Sequence, residues 1–203
     1  MSTRLLAATR EGVLVLTLRS DDGLPRIQRS VLAALVTQVE ELAAAIDLRG
    51  CVITGSHRAF AVGADIAELA QLSPADAFAF SRAGQRSLRA VERSPKPIIA
   101  AIHGYCMGGG LDLALACHSR IAAHDAVFAH PGGSLGILTG WGGTQRLTRL
   151  IGRAHALEML TTGRKIHAAE ALAFGLISEI VESPKLIDSA KDRSRHLLSV
   201  SPH

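Results

Sequence analysis

Two glycine-rich loops carry the residues of this chain that are best suited to chemistry. The first covers residues 103–110 and leads from an apolar strand pattern into an apolar helix pattern, and the second covers residues 132–143. Glycine lets a backbone turn where side chains would clash, and the first amides of a helix attract negative charge. Each loop therefore predicts a site for an anion, or for a carbonyl oxygen on which negative charge develops.

Other uses of such loops fit the residues less well. Neither loop ends in the Gly-Lys-Ser/Thr of a phosphate loop, and a G-x-G-x-x-G pattern with a downstream ribose-binding acid is absent. A serine nucleophile would need a serine where the first loop has Tyr105, Cys106 and Met107. Cys106 as a nucleophile is a minor alternative, and tight packing of the glycines is the plain structural one.

The elements that position these loops follow from hydrophobic periodicity. Strands are predicted over residues 13–18, 51–54, 97–102 and 176–181. Helices are predicted from Ser30, from Asp65, over residues 74–93, 111–117, 144–151, 154–161 and 168–173, and from Ser183. The alternation of strand and helix predicts an α/β fold.

Composition predicts one globular domain. The chain has 203 residues, of which 48% are apolar, and this is enough to bury one core. Scattered basic residues and 3% aromatic residues disfavour nucleic acid, although a pI of 9.3 fits an anionic ligand. Cys51, Cys106 and Cys117 lack disulfide or zinc spacing, and no apolar run is long enough to span a bilayer. We therefore expect a cytoplasmic protein.

Four linked motifs closely resemble the enoyl-CoA hydratase/isomerase (crotonase) family. They cover residues 59–66, 96–104, 108–114 and 142–147, and similarity in residues 162–177 extends the match over essentially the whole chain. The resemblance implies a crotonase-like spiral of ββα units with C-terminal helices, without the usual last helical segment. It implies a single domain over residues 1–203, helical from about residue 142, assembled as a homotrimer or a dimer of trimers. It also implies that no metal or redox cofactor takes part.

The same resemblance implies the residues of the site. The amides of Ala64 and Gly109 would form an oxyanion hole for the thioester carbonyl of an acyl-CoA, with coenzyme A as part of the substrate. Asp65 would cap the helix that follows and shape the ligand loop. The substrate- and CoA-binding candidates are Leu24, Arg26, Ala61, Ala64, Asp65, Ile66, Gly108, Gly109, Gly132 and Trp141.

The proton-transfer residues depart from the family pattern. Asp112 stands where hydratases have their first glutamate, three residues after the oxyanion glycine, although it could merely favour the helix dipole. Gly132 stands where the second acid is expected, and it would leave room for water, an anion or a bulkier acyl group. His130, His103 or His118 could replace that acid, but each is more commonly a packed or surface histidine.

Three functions are compatible with this pattern. The leading prediction is an enzyme of fatty-acid or other acyl-CoA metabolism, a hydratase (a lyase) or an isomerase, with Asp112 moving protons. Since one base can remove and return a proton, isomerisation is easier to explain than hydration. The alternative is a non-catalytic acyl-CoA-binding homologue that lacks the second acid. A different enolate reaction, such as decarboxylation or dehalogenation, is a third option that no residue selects.

Overall fold

Two β-sheets form the centre of the protein, and helices surround them in a computed structural model that describes residues 2–200. The strands are β1 Arg4–Arg10, β2 Val13–Arg19, β3 Gly50–Thr54, β4 Ala59–Ala61, β5 Ile98–Ile102, β6 Tyr105–Met107, β7 Ser119–Ala123, β8 Val127–Ala129, β9 Ile166–His167 and β10 Glu179–Val181. The α-helices are α1 Arg29–Ala44, α2 Ile66–Leu69, α3 Pro74–Glu92, α4 Gly109–Ala116, α5 Gly143–Ile151, α6 Arg153–Thr162, α7 Ala168–Ala173 and α8 Leu186–Val200. Short 3₁₀ helices cover Pro131–Leu135 and Ser183–Lys185.

The larger sheet has six strands in the order β1-β2-β3-β5-β7-β10. Its β1–β2 pair is antiparallel and the remaining pairs are parallel. Strands β3 and β5 are buried along their whole length, as expected for parallel strands that are covered on both faces. One face packs in the main hydrophobic core, and α8 covers the other through a second cluster that includes Val52, Ile99, Ile121 and Leu186.

The smaller sheet arises from a repeated pattern of two strands followed by a helical segment. Each of β3, β5 and β7 is followed within a few residues by β4, β6 and β8, respectively, and these short strands pair in the order β4-β6-β8-β9. Helices α2 and α3 follow β4, α4 follows β6, and the first 3₁₀ helix follows β8. The expected crotonase-like spiral of ββα units is therefore confirmed.

The spiral explains how distant residues meet. Strands β4, β6 and β8 are parallel, so their carboxyl ends lie at the same edge of the small sheet. The segments that leave this edge carry Ala64, Gly109 and His130. Ala64 and His130 are more than 60 residues apart in the sequence, yet the fold brings them and Gly109 to one region.

Most of the predicted elements are present within one or two residues of their expected bounds. The strand predicted over residues 176–181 is shorter in the structure, where β10 covers only Glu179–Val181. The last α-helix, predicted from Ser183, begins at Leu186 after a 3₁₀ turn. The strands β1, β4, β6, β7, β8 and β9 were not predicted. Among residues 2–200, no helix combines the length and apolar character needed to cross a membrane.

Candidate active site

A cavity of about 380 Å³ lies at the carboxyl edge of the small sheet. Both predicted oxyanion residues, Ala64 and Gly109, line it together with Asp112 and His130. Most of its wall is apolar, with contributions from residues such as Val62, Leu69, Leu72, Phe80 and Leu160. A largely apolar pocket with a few convergent polar groups is the usual form of a small-molecule site.

The segments that carry Ala64 and Gly109 approach each other through glycines. Gly63 has a φ of 103°, which favours glycine, and a Cβ atom there would lie 3.4 Å from the Gly109 nitrogen. Helix α4 begins at Gly109, so the amides of its first turn have no partner within the helix. The lack of a side chain at Gly63 thus lets the two loops pack closely, backbone against backbone.

Asp112 lies in the first turn of α4 and is completely buried. The Thr139 hydroxyl donates a hydrogen bond to its Oδ2 atom. A Cβ atom at Gly143 would overlap Oδ1, so a glycine is needed there to make space for the carboxyl group. Burial raises the pKa of Asp112 to about 7, against the lowering effects of Thr139, the Arg146 charge and the Trp141 backbone.

His130 follows β8 and brings a second titratable side chain to Asp112. Its Nε2 atom lies 3.6 Å from Asp112 Oδ1, and the two side chains are 4% and 1% exposed. Neither atom has a hydrogen-bond partner among the residues that the structure describes. Burial lowers the pKa of His130 to about 4, so the imidazole is neutral at physiological pH.

The other two candidate histidines lie outside the cavity wall. The Nδ1 atom of His118 accepts a hydrogen bond from the Ile98 backbone amide at 3.1 Å, which is a structural role. His103 precedes β6, and its backbone carbonyl accepts a bond from the Phe60 amide. Cys106 is fully buried and burial raises the pKa of its thiol, so it is unsuited to act as a nucleophile.

The position expected for the second acid is closed. Gly132 lines the cavity, but a Cβ atom there would lie 2.5 Å from the Ile137 carbonyl oxygen. The Ile137 amide also donates a hydrogen bond of 2.9 Å to the Gly132 carbonyl. A side chain at residue 132 therefore has no room, because the loop folds back and its own backbone occupies that space, although Gly132 itself lies on the cavity wall.

Trp141 forms part of the cavity wall and also packs against backbone. Cβ atoms at Gly84 or at Gly109 would overlap its ring, and the Phe80 ring lies 5.4 Å away between centroids. Arg146 donates a 2.9 Å hydrogen bond to the Trp141 carbonyl. Trp141 therefore contributes both to the pocket shape and to the packing beneath the predicted oxyanion loop.

The predicted CoA-binding segments lie side by side but are not all on the cavity wall. The Ile27 amide donates to the Gly63 carbonyl and the Val62 amide donates to the Pro25 carbonyl, so residues 24–27 run beside residues 62–64. Arg26 pairs with Asp22 at 2.8 Å. Leu24, Arg26 and Ala61 do not line the cavity. Ala61 is fully buried and packs beside Gly110, where a Cβ atom would touch it.

Asp65 has the capping role that the sequence predicted. Its Oδ1 atom accepts a hydrogen bond from the Ala67 amide at the start of α2, and its Oδ2 atom accepts one from Gln28 Nε2 at 3.0 Å. The next residue, Ile66, is 59% exposed at the mouth of the cavity. Gly108 has a φ of 50° and also lines the cavity.

Sequence reasoning missed the functional surroundings of Asp112. Nothing in the sequence indicated the hydrogen bond between Thr139 and Asp112, which only the folded chain brings about. Gly143 belongs to a quoted motif, but its steric role depends on a contact 31 residues away in the chain. Among residues 2–200, no cluster of three or more His, Cys, Asp or Glu side chains could hold a metal ion.

Known proteins resemble this chain over most of its length. The family model described as enoyl-CoA hydratase/isomerase matches residues 8–203. A protein of Mycobacterium bovis named probable enoyl-CoA hydratase is 40% identical over 187 residues, covering 92% of this chain and 72% of that protein. A short-chain-enoyl-CoA hydratase of Clostridium acetobutylicum is 34% identical over 195 residues, covering 95% of this chain and 75% of that protein.

Solved structures agree with these matches. The crystal structure of an enoyl-CoA hydratase from Bacillus anthracis superposes with a TM-score of 0.89 at 32% sequence identity. The match covers 99% of this chain and 78% of that one. Sequence and fold thus lead to the same group of proteins.

Proposed function

Because the chain belongs to the enoyl-CoA hydratase/isomerase family, we propose that it is an enzyme of acyl-CoA metabolism. The thioester carbonyl of the substrate would accept hydrogen bonds from the backbone amides of Ala64 and Gly109. Such preorganised donors stabilise an enolate because they lie where its negative charge develops, in a site that excludes water. The dipole of α4, which begins at Gly109, adds to this effect.

One observation carries the proposal: the buried carboxyl group of Asp112 lies on the wall of the cavity that Ala64 and Gly109 line. A carboxyl group whose pKa is about 7 can both accept and release a proton near neutral pH. In this arrangement Asp112 exchanges a proton with carbon atoms of the acyl chain while the amides hold the enolate. The apolar wall accommodates the acyl chain and keeps bulk water away.

The binding of the coenzyme A part is proposed on the family resemblance. Residues 24–27 run beside residues 62–64, which supports a shared binding track for Leu24, Arg26 and Ala64 to Ile66. Arg26 would have to exchange its ion pair with Asp22 for a CoA phosphate. No further cofactor is proposed, since coenzyme A is part of the substrate.

A non-catalytic acyl-CoA-binding protein is the second candidate. The closed space at Gly132 favours it, because a second carboxylate cannot occupy its usual place. Such a protein would bind thioesters in the same cavity without turning them over.

The two candidates are separated by incubating the protein with crotonyl-CoA and with a 3-enoyl-CoA. Mass spectrometry follows addition of water to the first, which gives a 3-hydroxyacyl-CoA, and chromatography follows double-bond migration in the second. Calorimetry measures binding in parallel. Turnover of either substrate supports the enzyme, whereas binding with no turnover supports the second candidate.

We also propose that the protein works in the cytoplasm as a homotrimer or a dimer of trimers, as the family resemblance implies. A chain of 21.4 kDa makes these states readily distinguishable from a monomer by native mass spectrometry.

A further inference from the structure

We propose that His130 is the second proton-transfer residue of this site and acts as a pair with Asp112. This inference rests on the proposed function and deepens it, because it provides a base for water in a site that lacks the usual second acid. With the pair, the substrate class includes 2-enoyl thioesters that are hydrated, in addition to 3-enoyl thioesters that are isomerised.

The geometry of two unpartnered buried atoms carries the proposal. His130 Nε2 and Asp112 Oδ1 are 3.6 Å apart, belong to residues that line the same cavity and have no hydrogen-bond partner within residues 2–200. A separation of 3.6 Å is too long for a direct hydrogen bond, and both atoms have almost no accessible surface, so one side chain has to move before an oxygen atom can bond to both. Leaving a buried polar atom unsatisfied costs about 1–3 kcal/mol, so the pair favours a water molecule or a polar substrate group between its members.

Residues around the pair place Asp112 Oδ1 and His130 Nε2, the two atoms without hydrogen-bond partners within residues 2–200, on facing sides. Thr139 donates to Oδ2 of Asp112, which leaves Oδ1 for the histidine. Gly143 makes space on the Oδ1 side, since a Cβ atom there would overlap that oxygen. His130 itself is held at the end of β8, next to Pro131 at the start of a 3₁₀ helix.

The protonation states suit addition of water to a 2-enoyl thioester. Neutral His130 takes one proton from water while the hydroxide oxygen bonds to C3, and the C2–C3 double-bond electrons move into an enolate held by the two amides. Protonated Asp112 then gives its proton to C2. The resulting imidazolium returns a proton to the Asp112 carboxylate, which restores both groups, so that one water molecule is consumed and no oxidant or reductant is needed.

The charges that face the pair are consistent with these states. Desolvation raises the pKa of Asp112 to about 7 and lowers that of His130 to about 4, so between these values the acid is protonated and the base is neutral. Arg146 and the backbone at Trp141 act in the opposite direction on Asp112. The buried Cys106 thiol, whose pKa is raised by burial first and also by the charge of Asp112, stays neutral.

The test compares hydration of crotonyl-CoA by the wild type, His130→Gln, His130→Ala and a matched control, His103→Gln, which changes a histidine outside the cavity wall. General acid–base catalysis contributes about 10²–10⁴-fold, so we expect His130→Gln to lose at least about a hundredfold in kcat. His103→Gln should keep the wild-type rate. Added imidazole should restore part of the activity of His130→Ala, because the truncated side chain leaves space for it, and a merely structural histidine would not give this rescue.

Each outcome decides between the two levels of the proposal. The role of His130 alone is overturned if His130→Gln hydrates crotonyl-CoA within a fewfold of the wild-type rate. It is also overturned if His130→Ala loses activity without imidazole rescue while His130→Gln stays active. A wild type that isomerises a 3-enoyl-CoA but does not hydrate crotonyl-CoA overturns the pair and leaves the proposed function. Thioester binding without turnover of either substrate overturns both. Urea unfolding of each variant identifies any loss that is due to misfolding.

Discussion

Asp112 is a carboxylic acid whose properties are set by burial rather than by a counter-ion. Its side chain is 1% exposed and its pKa is raised to about 7, although Thr139 and Arg146 favour the ionised form. Desolvation wins because the residue lies beneath a largely apolar cavity wall, and its effect is larger than those of the Thr139 hydrogen bond and the Arg146 charge. A group that titrates near neutral pH is suited to proton transfer.

Replacing Asp112 with Asn should abolish turnover and preserve binding of the CoA thioester. The amide keeps the shape and can still accept the Thr139 hydrogen bond, but it cannot exchange a proton. The rate is measured with both enoyl-CoA substrates and the affinity by calorimetry. An unchanged rate would remove Asp112 from the mechanism, and a lost affinity would indicate that the variant disturbs the cavity.

The same substitution should change how stability depends on pH. The folded-state pKa of Asp112 is raised, so the folded protein binds more protons than the unfolded chain between about pH 4 and about pH 7, and this contribution to stability falls as the pH rises through that range. Asp112→Asn removes this decrease in stability with rising pH. The variant should therefore gain stability relative to the wild type between pH 4 and pH 8, as measured by urea unfolding, and an equal difference at both pH values would contradict the raised pKa.

The two reactions should respond to pH in opposite ways. Isomerisation needs Asp112 as a base, so kcat/KM for a 3-enoyl-CoA should rise as the pH increases through about 7. Hydration by the His130 and Asp112 pair needs Asp112 as an acid, so kcat/KM for crotonyl-CoA should fall through the same pH range. Parallel profiles measured on one preparation would contradict this assignment of roles.

At this scale, the sequence predicted the residues that motifs carry, named His130 only as one of three candidate histidines, and missed the contact of Thr139 with Asp112. Ala64, Gly109 and Asp112 were placed by motif position, and all three line one cavity. The neighbours Thr139 and His130 come from segments 27 and 18 residues after Asp112, and only the folded chain brings them to opposite oxygens of its carboxyl group.

At the scale of elements, the loop that begins after Pro131 has a conformation that depends on glycine. The Ile137 carbonyl oxygen occupies the place of a Gly132 side chain, whereas Cβ atoms at Gly133 would meet neighbours only at 3.4 Å or more. Restoring the acid with Gly132→Glu would thus displace the loop instead of rebuilding a two-carboxylate site. The loss of the acid at residue 132 and the conformation of the loop around it are therefore linked.

Gly132→Ala should destabilise the protein and Gly133→Ala should not. Overpacking costs about 1–3 kcal/mol, which exceeds the gain of about 0.4–1 kcal/mol that replacing glycine brings by restricting the unfolded chain. Urea unfolding of the two variants measures the difference. Equal stabilities would show that the loop adapts freely at residue 132.

The packing of α3 on Trp141 gives a prediction whose sign depends on the background. Gly84→Ala should lower the free energy of unfolding, since the added Cβ overlaps the Trp141 ring and the gain in helix propensity is only about 1 kcal/mol. After Trp141→Ala the ring is gone, and Gly84→Ala should become stabilising. A double-mutant cycle by urea unfolding measures the coupling, and additive effects would contradict the contact.

Most of the strands that the sequence failed to predict are too short or too exposed to give a clear local pattern. Strands β4, β6, β8 and β9 have only two or three residues, so hydrophobic alternation cannot be recognised in them. Strand β1 is largely exposed and carries little apolar signal. These strands exist because neighbouring strands pair with them, which is information that a local pattern does not contain.

At the scale of the whole molecule, the six-stranded sheet separates two regions with different roles. The main core and the catalytic candidates belong to one side, and α8 closes the other side through a small cluster that contains Leu186 and Ala190. The sequence predicted a final helix but not the face that it covers, because the order of strands in the sheet was not deducible from the motifs. The separation implies that stability and catalysis can be changed independently.

Truncating Leu186 tests this separation. Leu186→Ala removes a side chain that is 3% exposed, and the lost burial together with the cavity should lower the free energy of unfolding by about 2–5 kcal/mol. Ser194→Ala is the matched control on the same helix: the Ser194 hydroxyl is buried with no partner among the described residues, so its removal should be neutral or stabilising by about 1 kcal/mol. Both variants should keep the wild-type KM and kcat for enoyl-CoA substrates well below their unfolding temperatures. A changed KM in Leu186→Ala would mean that α8 and the cavity are coupled through the sheet, and the two sides would then have to be treated as one unit.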